Sequence, residues 1–151
     1  MYLQLTAVLY DEVLKTIGQF KKDYLNKEAS DYVEKNVETE ILRAHALAGK
    51  KQFKDAFRIL DQQRSILTNQ SEEIFGSNTR LWLKFSLLYA YAEISFEKNT
   101  KSGQENLDAL IAFVSEHQSN IQYSSMYAET RKLLIKTNNQ KQLDDLPKPA
   151  N

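Results

Sequence analysis

The chain has 151 residues, and 42% of them are hydrophobic, enough for one domain with a real core. It has no cysteine, which excludes disulfide scaffolds, thiolate metal sites and cysteine nucleophiles. Twenty basic residues offset twenty acidic ones, so no net charge drives the chain toward nucleic acid or an anionic membrane. Four glycines and two prolines, both prolines in the last five residues, supply too few turns for a sandwich or barrel and point to helices.

The first helix is expected over residues 2–25, with Leu3, Ala7, Tyr10, Leu14, Ile17 and Phe20 on its apolar face. Gly18 inside it costs about 1 kcal/mol relative to alanine. Its apolar start lacks the basic flank of a signal peptide and runs into Asp11 and Glu12. A second helix follows over 28–48, striped by Tyr32, Val33, Val37, Ile41, Leu42, Ala44 and Leu47, with Gly49 as its C-cap. A third covers 52–67 and carries Phe53, Ala56, Phe57, Leu60, Ile66 and Leu67. Residues 72–75 could add one turn before Gly76.

The fourth helix, over 79–98 and capped by Ser77, Asn78 or Thr79, is the most apolar. Trp82, Phe85, Tyr89 and Phe96 line one side, and Leu83, Leu87, Ala90 and Ile94 another. A helix apolar on two sides belongs at the centre of its bundle. A break is expected over 99–103, where Ser102 and Glu105 have capping-box spacing. The fifth helix spans 104–117, with Leu107, Leu110, Ile111 and Val114 inside. The sixth spans 121–136, with Ile121, Met126, Tyr127, Leu133 and Leu134 inside. A final turn or two is expected over 140–146. The expectation is a single all-α domain over 1–146 with a frayed tail over 147–151, its six or seven helices stacked antiparallel by short loops.

One motif straddles the second and third helices. Ala44 and Leu47 precede Gly49, then Phe53, Ala56 and Leu60 follow. Two helices joined by a tight turn approach closely only where the crossing carries little side chain, and Ala44 and Ala56 supply that. The pattern over residues 40–68 resembles a tetratricopeptide repeat unit. Glu40 stands where that family has an aromatic, Gln63 where it has a small residue, and Thr68 where it has a proline. Residues 82–94 and 107–114 would form a second, longer unit. An irregular helical bundle is the alternative.

Little in the chain resembles catalytic machinery. The two histidines, His45 and His117, lie in no metal-ligand spacing, and there is no phosphate-cradling glycine loop and no nucleophile elbow. Neighbouring acids such as Asp11 and Glu12 diverge by 100° on a helix and read as solvated surface. No enzyme activity, cofactor, metal, nucleic acid or membrane span is expected, and the chain reads as cytoplasmic.

The resemblance implies a protein-protein interaction module or adaptor that holds a peptide or partner helix on the first helices of its units. Arg43, His45, Lys84, Tyr89 and Tyr91 are the candidate contact residues. The family's clamp for a C-terminal carboxylate would fall at Ile41 and His45, which lack the lysine and asparagine it needs. Lys50, Lys54 and Arg58 form a basic strip with Lys51 beside it, either a solvated face or a dock for an acidic or phosphorylated segment. Two further readings are a structural subunit of a homo-oligomer or larger helical complex, and a ligand-sensing helical-repeat regulator.

Overall fold

A computed structural model describes residues 2–70 and 75–150, with the side chains of residues 2–7 and of Thr100 left undescribed. The expected turn over 72–75 lies almost wholly outside the described residues. The fold is all-α, with no strand among the described residues. Six helices follow in order: α1 (Tyr2–Tyr24), α2 (Tyr32–Gly49), α3 (Phe53–Asn69), α4 (Ser77–Lys98), α5 (Thr100–Glu116) and α6 (Tyr123–Lys136). A 3-10 turn over Gln140–Leu143 closes the chain. No described helix is long and apolar enough to cross a membrane.

α4 is the axis. Leu83, Leu87, Ala90, Tyr91 and Ile94 enter one apolar cluster, shared with α2, α3 and Phe75. Phe85 and Ala92 enter a second, shared with α5, α6 and Leu146, with Trp82, Tyr89 and Phe96 packed on it. The two faces read from the sequence are therefore two separate cores. Ala44 and Ala56 are both fully buried in the first cluster with Leu60 and Leu47, and Phe53 packs against it half-buried. Of the three positions that depart from the repeat pattern, Thr68 is exposed, and Glu40 and Gln63 are buried polar groups. Glu40 is satisfied by Lys21 at 2.7 Å and Arg43 at 3.4 Å, whereas the Oε1 of Gln63 meets no partner among the described residues. At the other end, the Tyr123 hydroxyl donates to the Pro147 carbonyl.

The helix boundaries need correction at several places. α2 begins four residues later than expected, because Asn26 folds the linker into turns: its side chain accepts from the Glu28 amide and its carbonyl from Ala29. Gly49 is the last helical residue and not the cap. A Cβ there would lie 2.2 Å from the Tyr10 ring, so the position is bare to admit α1, while Lys51 takes the left-handed conformation at φ 64°. α4 begins at Ser77 with Gly76 before it, and neither Ser77, Asn78 nor Thr79 caps it.

The break over 99–103 shrinks to Asn99 alone. Its side chain accepts from the Ser102 amide and caps α5, displacing the Ser102–Glu105 box. Gly103 is inside α5, where a Cβ would lie 2.8 Å from the Phe96 backbone Cα, so this glycine sets how closely α4 and α5 pack. Gly18, by contrast, meets nothing within 4 Å. Ile121 precedes α6 and is 85% exposed, and Leu42 points outward at 58%, although both were expected inside.

Candidate functional site

The helical period brings one set of side chains to a common recess. On α2, Glu38, Leu42 and His45 follow at steps of four and three, with Ile41 beside them. On α4, Trp82, Ser86, Tyr89, Glu93 and Glu97 recur at three- and four-residue steps. α6 supplies Glu129 and Lys136, and α1 supplies Leu9, Val13 and Thr16 as a side wall. The recess has two lobes that share Leu42, His45 and Tyr89. One, of about 380 Å³, lies between α2, α4 and α6; the other, of about 660 Å³, opens toward α1.

The wall and floor are apolar and open. Leu9 is 64% exposed, and Val13 and Leu42 are exposed beside it.

The polar side chains of the recess are dominated by carboxylates. Glu93 is the one held on both sides: His45 Nδ1 lies 3.1 Å from one oxygen and Lys136 Nζ 3.1 Å from the other, tying α2 and α6 to α4. The hydrogen bond from His45, its charge and Lys136 hold the Glu93 carboxyl down at about 2, against the opposing effect of burial. Burial, with the nearby charges of Glu93 and Glu129, pushes the Tyr89 phenol up to about 12, so it stays neutral. Glu38 is raised by partial burial and by Glu34, with Lys35 opposing. Glu12, Glu38 and Glu97 form no ion pair among the described residues, and Glu129 pairs with Lys132 at 2.8 Å. Among the described residues no group of three acids or histidines is placed to hold a metal ion.

Of the five candidate contact residues, the structure brings His45 and Tyr89 together in the recess. Arg43 turns instead toward α1, in a cleft with Leu14 and Lys21. Lys84 is exposed on α4 and lines neither lobe. Tyr91 is buried on the opposite side of α4, where its hydroxyl donates to Asp61 and Arg64 stacks over its ring at 4.2 Å.

The basic strip divides. Lys50 pairs with Asp11 of α1, and Arg58 with Asp55 at 3.2 Å. Lys54 and Arg58 share a shallow face with Lys51 and Lys98, whose ammonium groups lie 5.8 and 5.7 Å from the rings of Phe53 and Phe57. His117 ends α5 with its Nδ1 2.7 Å from the Phe113 carbonyl. Sequence reasoning did not single out Glu38, Glu93 or Glu129. The only signal available was their four-residue spacing from apolar neighbours on helices that also needed to be adjacent.

No protein-family model, no curated protein and no solved structure matches this chain.

Proposed function

We propose that the chain is a non-catalytic binding module, an adaptor or complex subunit of the cytoplasm, that seats a partner helix in the recess between α1, α2, α4 and α6. One observation carries this reading: an apolar floor and wall, with Leu9, Val13 and Leu42 open to solvent, bordered by Glu12, Glu38 and Glu97, which form no ion pair among the described residues. Such a surface suits an amphipathic helix that places apolar residues inward and basic ones along the border. The alternation of helices supports it. α2, α4 and α6 face the recess while α3 and α5 pack behind, the disposition that a tetratricopeptide-like stack would have. On this reading Ala44, Ala56 and Gly103 matter because they let each helix pair close up and leave the recess as the presented face.

The test is a photo-crosslinking residue placed at Leu42, with a second at Arg58 on the far side as control. The expected product is a partner segment carrying basic and apolar residues, trapped at position 42 only and lost from the folded Leu42→Asp variant when the crosslinker sits at Val13. Equal capture at both sites, or capture unaffected by Leu42→Asp, would refute it.

A second reading, self-association, is favoured by α1, where Val8 and Phe20 are exposed and Phe20 stacks on the exposed Tyr24 at 5.6 Å. Sedimentation of the intact chain separates the two: a monomer at micromolar concentration excludes it.

A further inference from the structure

The smaller lobe has a chemistry of its own. Trp82, Phe85 and Tyr89 form a ladder along α4, with ring centroids 5.2 and 6.1 Å apart. Phe85 is buried in the second core, while Trp82 and Tyr89 are half-exposed at the lobe. Ile41 and Leu42 face them from α2, and Glu38 and Glu129 stand at the border. Among the described residues, no lysine or arginine lines this lobe. Aromatic faces beside Glu38, which has no ion pair among the described residues, form an incomplete set: ring quadrupoles and a carboxylate both attract positive charge.

The same α4 shows the completed set on its other side. There Tyr91 lies under the Arg64 guanidinium at 4.2 Å, and its hydroxyl is bound by Asp61. Aromatic ring, carboxylate and arginine are all supplied by this chain at that place. At the smaller lobe the chain supplies the rings and Glu38, which has no ion pair among the described residues, while Glu129 is shared with Lys132 at 2.8 Å.

We propose that the lobe bordered by Trp82, Tyr89, Glu38 and Glu129 receives an arginine side chain of the partner segment, stacked on the aromatic faces and paired with Glu38. A guanidinium suits the place better than an ammonium. It is planar, more weakly hydrated and able to give two parallel N–H groups to one carboxylate. The upward displacement of Glu38, which burial and Glu34 cause, is relieved by such a neighbour. Tyr89 remains neutral at physiological pH, so its ring keeps its face. The assignment rests on the recess being the partner site, and the experiment below separates the failure of one from the failure of the other.

Trp82 is the only tryptophan in the chain, so its fluorescence reports on this lobe directly. The probe is N-acetyl-arginine-methylamide, titrated beside the corresponding lysine and norleucine compounds and tetramethylammonium chloride at constant ionic strength. The expected result is a saturable change with the arginine probe, at least severalfold weaker with lysine or tetramethylammonium and absent with norleucine. Binding should fall roughly five- to tenfold in Glu38→Gln/Glu129→Gln, a loss in the range of a desolvated cation–carboxylate contact. Both carboxylates stand at the solvent edge, and the far-UV circular dichroism of the variant checks its fold; should the pair unfold, Glu38→Gln alone decides. No saturable response, an equal response to norleucine, lysine or tetramethylammonium, or undiminished binding by the glutamine variant would overturn the assignment. A partner trapped at Leu42 together with a silent arginine probe leaves the recess as partner site and removes the arginine. A saturating probe with nothing trapped at Leu42 removes the partner and, with it, this assignment.

Discussion

Replacing Gly103 by alanine is expected to destabilise the protein, and the same replacement at Gly18 to stabilise it. Both glycines lie inside helices, so alanine brings each about 1 kcal/mol of helix preference. At Gly18 the new methyl meets nothing within 4 Å, and that gain stands. At Gly103 it would lie 2.5 Å from Cγ of Phe96 and 2.8 Å from its Cα. The ring can turn aside, but the Cα moves only if α4 and α5 part along their whole contact. Overpacking of this kind costs roughly 1–3 kcal/mol, and a backbone obstacle belongs at the upper end. The net loss is then about 1–2 kcal/mol, a fall in Tm of roughly 2–8 °C for a chain of this length. Urea unfolding followed by both far-UV circular dichroism and Trp82 fluorescence measures it, and coincident transitions justify a two-state analysis. A Gly103→Ala protein as stable as Gly18→Ala would show that the tight α4–α5 approach does not exist, and the reasoning would fail.

Two other outcomes follow from the same packing and charges. Because its partners hold the Glu93 carboxyl near 2, below its ordinary 4.5, its contribution is complete above about pH 4.5 and is lost as the pH falls through 2. Glu93→Gln should therefore be less stable than the parent near neutrality, by no more than about 3 kcal/mol, and the gap should close between pH 4.5 and 2; a gap constant across that window counts against the pairing. Ala44→Leu, adding three carbons where no surface is exposed, should lose roughly 1–3 kcal/mol in calorimetry, and unchanged stability would show the α2–α3 crossing to be loose.

The helices and the central place of α4 were legible because apolar periodicity is a property of the chain alone. Trp82, Phe85 and Phe96 against Leu83, Leu87 and Ile94 already describe a rod with two apolar sides. Local geometry was less legible. Asn99 turns the chain in a single residue, which leaves no cluster of turn formers to notice. Gly49 and Gly103 read as punctuation because the rings that need their space, Tyr10 and Phe96, lie on other helices. Leu42 belongs to a stripe that would be inside only if α1 covered it, and α1 packs along α2 further round.

The candidate site was legible in part for the same reason. Periodicity places Tyr89 and Tyr91 on opposed sides of α4 but does not say which side is open. His45 and Tyr89 meet in the recess, and Tyr91 does not. The acidic border comes from three helices distant in sequence, and nothing local marks Glu38, Glu93 and Glu129 as neighbours.

Neither apolar cluster can be assembled without α4, since each borrows a different flank of that one rod. The chain therefore cannot be divided into an amino-terminal and a carboxy-terminal fragment that both survive. Whichever piece forfeits the rod is left with helices that have nothing to close against, so proteolysis anywhere within 77–98 should dismantle the whole molecule at once.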